Sequence, residues 1–343
     1  MTRSVLCLLF VAAGCNVSGD EPVVDSRTSN AETTSAADIA PPLPPSASSV
    51  VAASASAPSA SAAASSSASV DPYAPPPPCP EGMALVGRFC VDKWEASLEV
   101  IADDGIHSPH PHYERLEKGK TYYAVSKPGM FPQGYISRVE SKAACEAAGK
   151  RLCKRNEWQR ACRGEGWMRY PYGNKAVRGK CSSGKLHLLR EKFGDNPKGG
   201  WKYDEHFNSP DLNREPGYLA RGGEYDGCVT DLGVADMVGN LHEWVSDTVD
   251  QEFMDKLDTE DVERNYQPWH SGNGVFMGGF YSTTGEHGPG CLFTTVAHEP
   301  TYHDYSTGFR CCKAADLPKP DKKTPDKKAP EKKTADKKPV EKQ

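Results

Sequence analysis

Gly149-Lys-Arg-Leu-Cys-Lys-Arg-Asn-Glu-Trp158, followed by Cys162-Arg-Gly164 and Tyr170-Pro-Tyr-Gly-Asn174, is the stretch from which the architecture of this chain can be read. Immediately upstream, Ser137-Arg-Val-Glu140 has the capping-box spacing, a hydroxyl three residues ahead of a carboxylate. It opens a helix through Ser141-Lys-Ala-Ala-Cys-Glu-Ala-Ala148, which Gly149 stops. A second helix is expected over Lys154 to Arg163. Elsewhere glycine and proline are dense and long amphipathic stretches are few. The remainder therefore reads as short strands joined by long loops, an α+β domain held together by disulfides.

Outward from that stretch, the 343 residues carry a formal charge of -5. The sequence pI is about 6.1 and the mean hydropathy -0.62. No broad basic surface is implied, so nucleic acid is not an expected partner. The only apolar run, Ser4 to Gly14, is too short to span a bilayer. It follows Arg3 and ends on Ala12-Ala-Gly-Cys15, which resembles the lipobox of bacterial lipoproteins and implies removal of residues 1–14 and acylation of Cys15. Bacterial lipoproteins with aspartate after that cysteine stay in the inner membrane, so by the same resemblance Asn16 implies the outer membrane and a periplasmic or surface-facing protein. Residues 15–78 are rich in Ser, Ala and Pro and cannot bury enough surface to offset their ordering entropy, so they read as a disordered linker. Residues 317–343 repeat Asp/Glu-Lys-Lys with a period of five and form a solvated tail. Between them, residues 79–316 are one domain, with a charge near -6 and all six tryptophans.

Twelve cysteines favour an oxidised, exported protein. Setting aside Cys7 and Cys15 leaves ten, an even number. Cys79 and Cys90 precede the others and are natural partners; the connectivity of the other eight stays open at this level. No CxxC pair occurs, and the adjacent Cys311-Cys312 are poorly placed to bond each other, which argues against zinc-ribbon and thioredoxin chemistry.

Three further blocks follow the opening stretch in order: Gly233-Val-Ala-Asp-Met-Val-Gly-Asn-Leu-His-Glu-Trp244, Met277-Gly-Gly-Phe-Tyr281 and Gly308-Phe-Arg-Cys311. Together the four resemble the signature of the formylglycine-generating enzyme family, the sulfatase-modifying factors, across nearly all of the domain. The resemblance implies a variant of the C-type-lectin-like fold with little regular secondary structure, calcium sites and disulfides. Carried over by position, it pairs Cys145 with Cys311 and Cys162 with Cys291. Cys153 and Cys312 sit beside these and make a third bridge, with Cys181 and Cys228 left for each other and an exchange of Cys311 for Cys312 left open.

The same resemblance implies a structural calcium held by Asp236, Gly239, Leu241 and Glu243, two carboxylates and two backbone carbonyls, a donor set that suits a hard cation. A second calcium would need oxygen ligands near Asn208, Asp211 and Asn213. Members that oxidise a substrate cysteine use two thiols to grip copper(I), a soft ion that an alcohol serves poorly. At those positions this chain has Thr283 and Gly288, so copper and formylglycine generation are not expected, although the family is one of oxidoreductases.

Other residues could carry chemistry. His107, His110 and His112 crowd one another, but prolines between them favour a surface loop. His298, Tyr302, His303 and Asp304 could line the ancestral substrate groove. Trp94 and Glu95 in Asp92-Lys-Trp-Glu-Ala read only as an opening strand. The expectation is a cell-envelope lipoprotein whose domain binds a protein, peptide or glycan without catalysis. The alternative is an oxygen- and metal-dependent oxidase, including cysteine-to-formylglycine modification of a protein substrate.

Overall fold

A computed structural model describes residues 77–102, 104–195, 197–259, 268–283 and 290–318. The signal segment, Cys15, nearly all of the linker, Gly288 and the tail from residue 319 lie outside the described residues.

The strands are β1 (Met83–Val86), β2 (Phe89–Asp92), β3 (Ser97–Ile101), β4 (His107–Pro109), β5 (Tyr122–Val125), β6 (Arg151–Leu152), β7 (His242–Thr248), β8 (Gly274–Met277), β9 (Thr294–Thr295), β10 (Thr307–Phe309) and β11 (Cys311–Ala314). The helices are α1 (Arg138–Ala147), α2 (Arg155–Arg163), α3 (Leu188–Phe193), α4 (Asp211–Arg214) and α5 (Gln251–Thr259). Among the described residues the strands form three small sheets, ordered β1-β2-β11-β6, β10-β7-β8-β9 and β4-β3-β5. This is a mixed helix-and-strand domain with little regular structure.

Helix α1 starts where the capping box requires. Ser137 Oγ accepts from the Glu140 N–H at 3.3 Å, and the Ser137 N–H donates to Glu140 Oε2 at 2.9 Å. Such a cap contributes about 1 kcal/mol. In α2, Glu157 Oε2 accepts from the Lys154 N–H at 2.9 Å, and both carboxylate oxygens take Arg151 N–H groups at 2.7 Å. The Arg and Glu of the opening stretch are thereby joined, and Trp158, Ala161 and Cys162 are turned into the core. Sequence reading missed α3, α4 and α5. The first two have only six and four residues, too short for a periodic signal, and α5 opens on Asp250, whose Oδ1 accepts the Phe253 N–H at 2.7 Å, a cap that sequence reading did not use.

Five disulfides tie the domain: Cys79–Cys90, Cys145–Cys311, Cys153–Cys312, Cys162–Cys291 and Cys181–Cys228. Cys311 and Cys312 point to opposite faces of β11, as consecutive strand residues must, so one reaches α1 and the other the loop before α2. Five bridges in one domain fit an extracellular or periplasmic compartment. No helix among the described residues is long and apolar enough to cross a membrane.

Candidate functional site

Two turns build the site. The first runs from Asp236 to Glu243 into β7, with Asp236, Gly239 and Asn240 at φ of 58, 81 and 56°. At Gly239 a side chain is impossible, since a Cβ would fall 2.2 Å from the Ser182 carbonyl oxygen. The second turn leaves β8 through Gly278, where a Cβ would meet the Met237 carbonyl at 2.8 Å. The turns are stitched together: the Tyr281 N–H donates to the Asn240 carbonyl at 3.0 Å and the Gly239 N–H to the Gly278 carbonyl at 3.1 Å. Segment 182–187 runs alongside, with Gly184 N–H on Thr283 O, Lys185 N–H on Tyr281 O and Ser282 Oγ on Leu186 O.

Thr283 is buried in the second turn. Its Oγ1 accepts the Phe280 N–H at 2.9 Å, and its own N–H returns to the Phe280 carbonyl at 2.9 Å. The hydroxyl therefore closes the turn locally. Cys291, the nearest cysteine in sequence, is bonded to Cys162. All ten cysteines of residues 79–316 are in disulfides, so the described residues hold no thiol.

Around Asp236 and Glu243 the structure assembles charges that sequence reading had only half seen. Glu243 is buried and takes Arg310 Nε at 2.6 Å and Nη2 at 2.7 Å, with Trp158 Nε1 at 2.8 Å as a third donor. Asp236 Oδ2 takes the Gly223 N–H at 2.6 Å. Glu95, dismissed above as part of an opening strand, is 4% exposed and accepts from Asn240 Nδ2 and, at 3.1 Å, from the Leu241 N–H. Burial, then the charges of Glu243 and Asp236, push its carboxyl well above the usual range. Burial likewise raises Asp236 to about 6. Three carboxylates thus face one guanidinium, and two negative charges remain uncompensated when all are ionised. Carboxylate and carbonyl oxygens with surplus negative charge fit a hard dication. Glu243 has both oxygens on Arg310, so its carboxylate is already committed to a cation. Side chains alone do not suffice: among the described residues no group of three His, Cys, Asp or Glu is placed to hold a metal.

The region near Asn208, Asp211 and Asn213 is not brought together. Asn213 Oδ1 accepts from the Tyr281 hydroxyl, Asn208 Oδ1 faces His303 Nδ1 at 2.8 Å, and Asp211 is exposed beside Arg214. The three upstream histidines also separate, His107 to Glu99, His110 to the Glu114 carbonyl and His112 to the Asn213 carbonyl.

Of the four groove candidates, His298 and Tyr302 stack at 3.9 Å, and Phe276 stacks on His298 at 5.4 Å. The Tyr302 hydroxyl donates to Asp304 Oδ2 at 2.6 Å, while Asp304 Oδ1 caps Ser306. Asp304 is buried and belongs to the frame, whereas His303 and Tyr302 are half-buried. Phe280, beside Thr283, lies between His187 and His242. A cavity of about 420 Å³ lies elsewhere, between residues 115–122 and α1, and none of the candidate site residues lines it.

Burial depresses His298 to about 4, so between that value and the ordinary 6.5 the unfolded chain takes up a proton that the fold refuses. Stability from this group is present above pH 6.5 and is lost as pH falls toward 4. His298→Phe, which keeps the stack, is expected to be about 2 kcal/mol more stable relative to the parent at pH 4 than at pH 7, discounting for partial exposure. Urea unfolding at both pH values checks this; an equal difference at both would show that the imidazole does not titrate in this way.

The family of the "Sulfatase-modifying factor enzyme 1-like domain" matches residues 103–315. A curated relative, the inactive C-alpha-formylglycine-generating enzyme 2 of Bos taurus, is 26% identical over 198 residues, 55% of this chain and 52% of the relative. The chain therefore spans about half the length of that relative. Similar solved structures include a Major Tropism Determinant P3c variant, at 16% identity, TM-score 0.38 and coverage of 70% of this chain and 54% of that one. PvdO from Pseudomonas aeruginosa is 13% identical, with TM-score 0.37 and coverage of 66% and 80%. The α+β frame stapled by disulfides is the formylglycine-generating-enzyme variant of the C-type-lectin-like fold. With more than half of its residues matched, including all four sequence blocks, this chain belongs to the sulfatase-modifying factor enzyme 1-like domain family.

Proposed function

We propose that the domain is a non-catalytic binding or accessory module of a lipid-anchored cell-envelope protein. The observation that carries this reading is the pairing of all ten domain cysteines, which leaves no thiol to grip copper(I) or attack a substrate, together with a Thr283 hydroxyl committed to the Phe280 N–H. Loops held on a rigid covalent frame suit recognition, and the partner would be a protein, peptide or glycan. Acylation of Cys15 and residence in the outer membrane belong to the same proposal, with residues 15–78 as the spacer. A structural calcium held by Asp236, Gly239, Leu241 and Glu243 would neutralise the surplus carboxylate charge and fix the first turn.

The test is chemical. Denatured, unreduced protein comprising residues 79–316 is expected to show no titratable thiol. The same protein given copper(I), oxygen and a cysteine-containing peptide is expected to form no formylglycine and to consume no oxygen. Stoichiometric copper with aldehyde formation would establish the oxidase alternative instead.

A further inference from the structure

Glu95 stands out because the proposed function makes no use of it. It precedes β3 in sequence, yet its carboxylate lies 145 and 146 residues away from its partners, at the centre of the Asp236–Glu243 turn. One oxygen accepts from the Asn240 amide and the other from the Leu241 N–H, so both residues between the carbonyl donors Gly239 and Leu241 and the start of β7 are gripped by one side chain. Asn240 has no freedom to turn its amide: Oδ1 accepts the Ala220 N–H at 2.8 Å and Nδ2 also reaches the Ala220 carbonyl at 3.1 Å. The Asn240 backbone is equally held, its N–H on Ser182 O and its carbonyl receiving Tyr281 N–H. A residue with φ of 56° is uncommon outside glycine, and here every polar atom of Asn240 has a partner that fixes it there.

A neutral amide at position 95 could still accept from Leu241 but would set its NH2 against the Asn240 NH2, a donor against a donor, so the clamp needs two oxygens on one side chain. The Glu95 carboxyl shares its pocket with Asp236 and Glu243, with Arg310 as the sole buried cation of the four.

We infer that Glu95 is the positioning residue of the cation turn: it clamps Asn240 and Leu241 so that the Gly239 and Leu241 carbonyls are presented together with Asp236. This rests on the calcium reading given above. Glu95 is not itself a ligand in this account; its two oxygens are spent on the Asn240 amide and the Leu241 N–H.

Calcium titration by calorimetry on the parent protein, Glu95→Gln and Asn240→Gly tests it, with amide hydrogen exchange of residues 239–241 read in calcium-free buffer. Asn240→Gly is the second variant because glycine keeps the left-handed backbone while deleting the clamp, so that the question stays answerable if Glu95→Gln does not fold. Glu117→Gln, an exposed carboxylate on another loop, serves as the charge control. Both site variants are expected to bind calcium at least about tenfold more weakly, the loss typical of groups that orient metal ligands, and to exchange faster at residues 239–241, while Glu117→Gln does neither. Parent-like calcium affinity in the site variants would overturn the role of Glu95 and leave the calcium reading standing. No calcium binding by the parent protein would overturn both.

Discussion

Replacing Arg310 by methionine is expected to lower the unfolding free energy by about 3–5 kcal/mol, measured by urea denaturation at pH 7, because it strands a buried carboxylate. The guanidinium is fully buried and donates to Glu243 twice, to the carbonyls of Asp92 and Lys93, and to the Ala235 carbonyl at 3.0 Å. It therefore joins the end of β2, the turn before β7 and the turn between β10 and β11. Adding Glu243→Gln to Arg310→Met should recover part of the loss, since a neutral amide can remain buried without a counter-charge. If the double variant is as unstable as the two single effects summed, the pair is not the origin of the loss.

The second large effect concerns the two bridges on neighbouring residues of β11. Cys145–Cys311 and Cys153–Cys312 close nearly the same loop, with sequence separations of 166 and 159. With either in place, the other restrains only the few residues between Cys145 and Cys153. Removing one pair by alanine substitution is expected to cost about 2–3 kcal/mol; removing both also frees the segments from Cys145 to Cys162 and from Cys291 to Cys311, whose far ends Cys162–Cys291 still joins, and is expected to cost roughly 6 kcal/mol. The double deletion should thus exceed the sum of the single ones, and thermal unfolding of the three variants shows it. Strict additivity would mean that local packing, not chain entropy, sets the contribution of these bridges.

Much of the frame is legible in local patterns. Ser137 and Glu140 stand three apart and form the cap that such spacing predicts, because a capping box involves only four consecutive residues. Arg151 and Glu157 lie within the opening stretch and meet across six residues. Gly239 and Gly278 mark turns whose backbones approach other chain segments too closely for any side chain. Asp304 shows the opposite case. From the sequence it reads as a candidate lining of the substrate groove, but in the structure it is a buried cap for Ser306 and an acceptor for Tyr302, since burial depends on what packs over a loop and not on its composition.

The amino-acid order alone determined the α+β class, the family blocks, the export-type cysteine count and the two best helices, since each is written in residues close together along the chain. Only the tertiary structure decided that Glu95 clamps a turn 145 residues away, that Arg310 is the counter-charge of Glu243, and that Cys311 takes Cys145 and Cys312 takes Cys153, not the reverse. Such contacts leave no periodicity or spacing in the chain. They arise because a folded interior forces every buried charge and polar atom to find a partner wherever the packing happens to bring one.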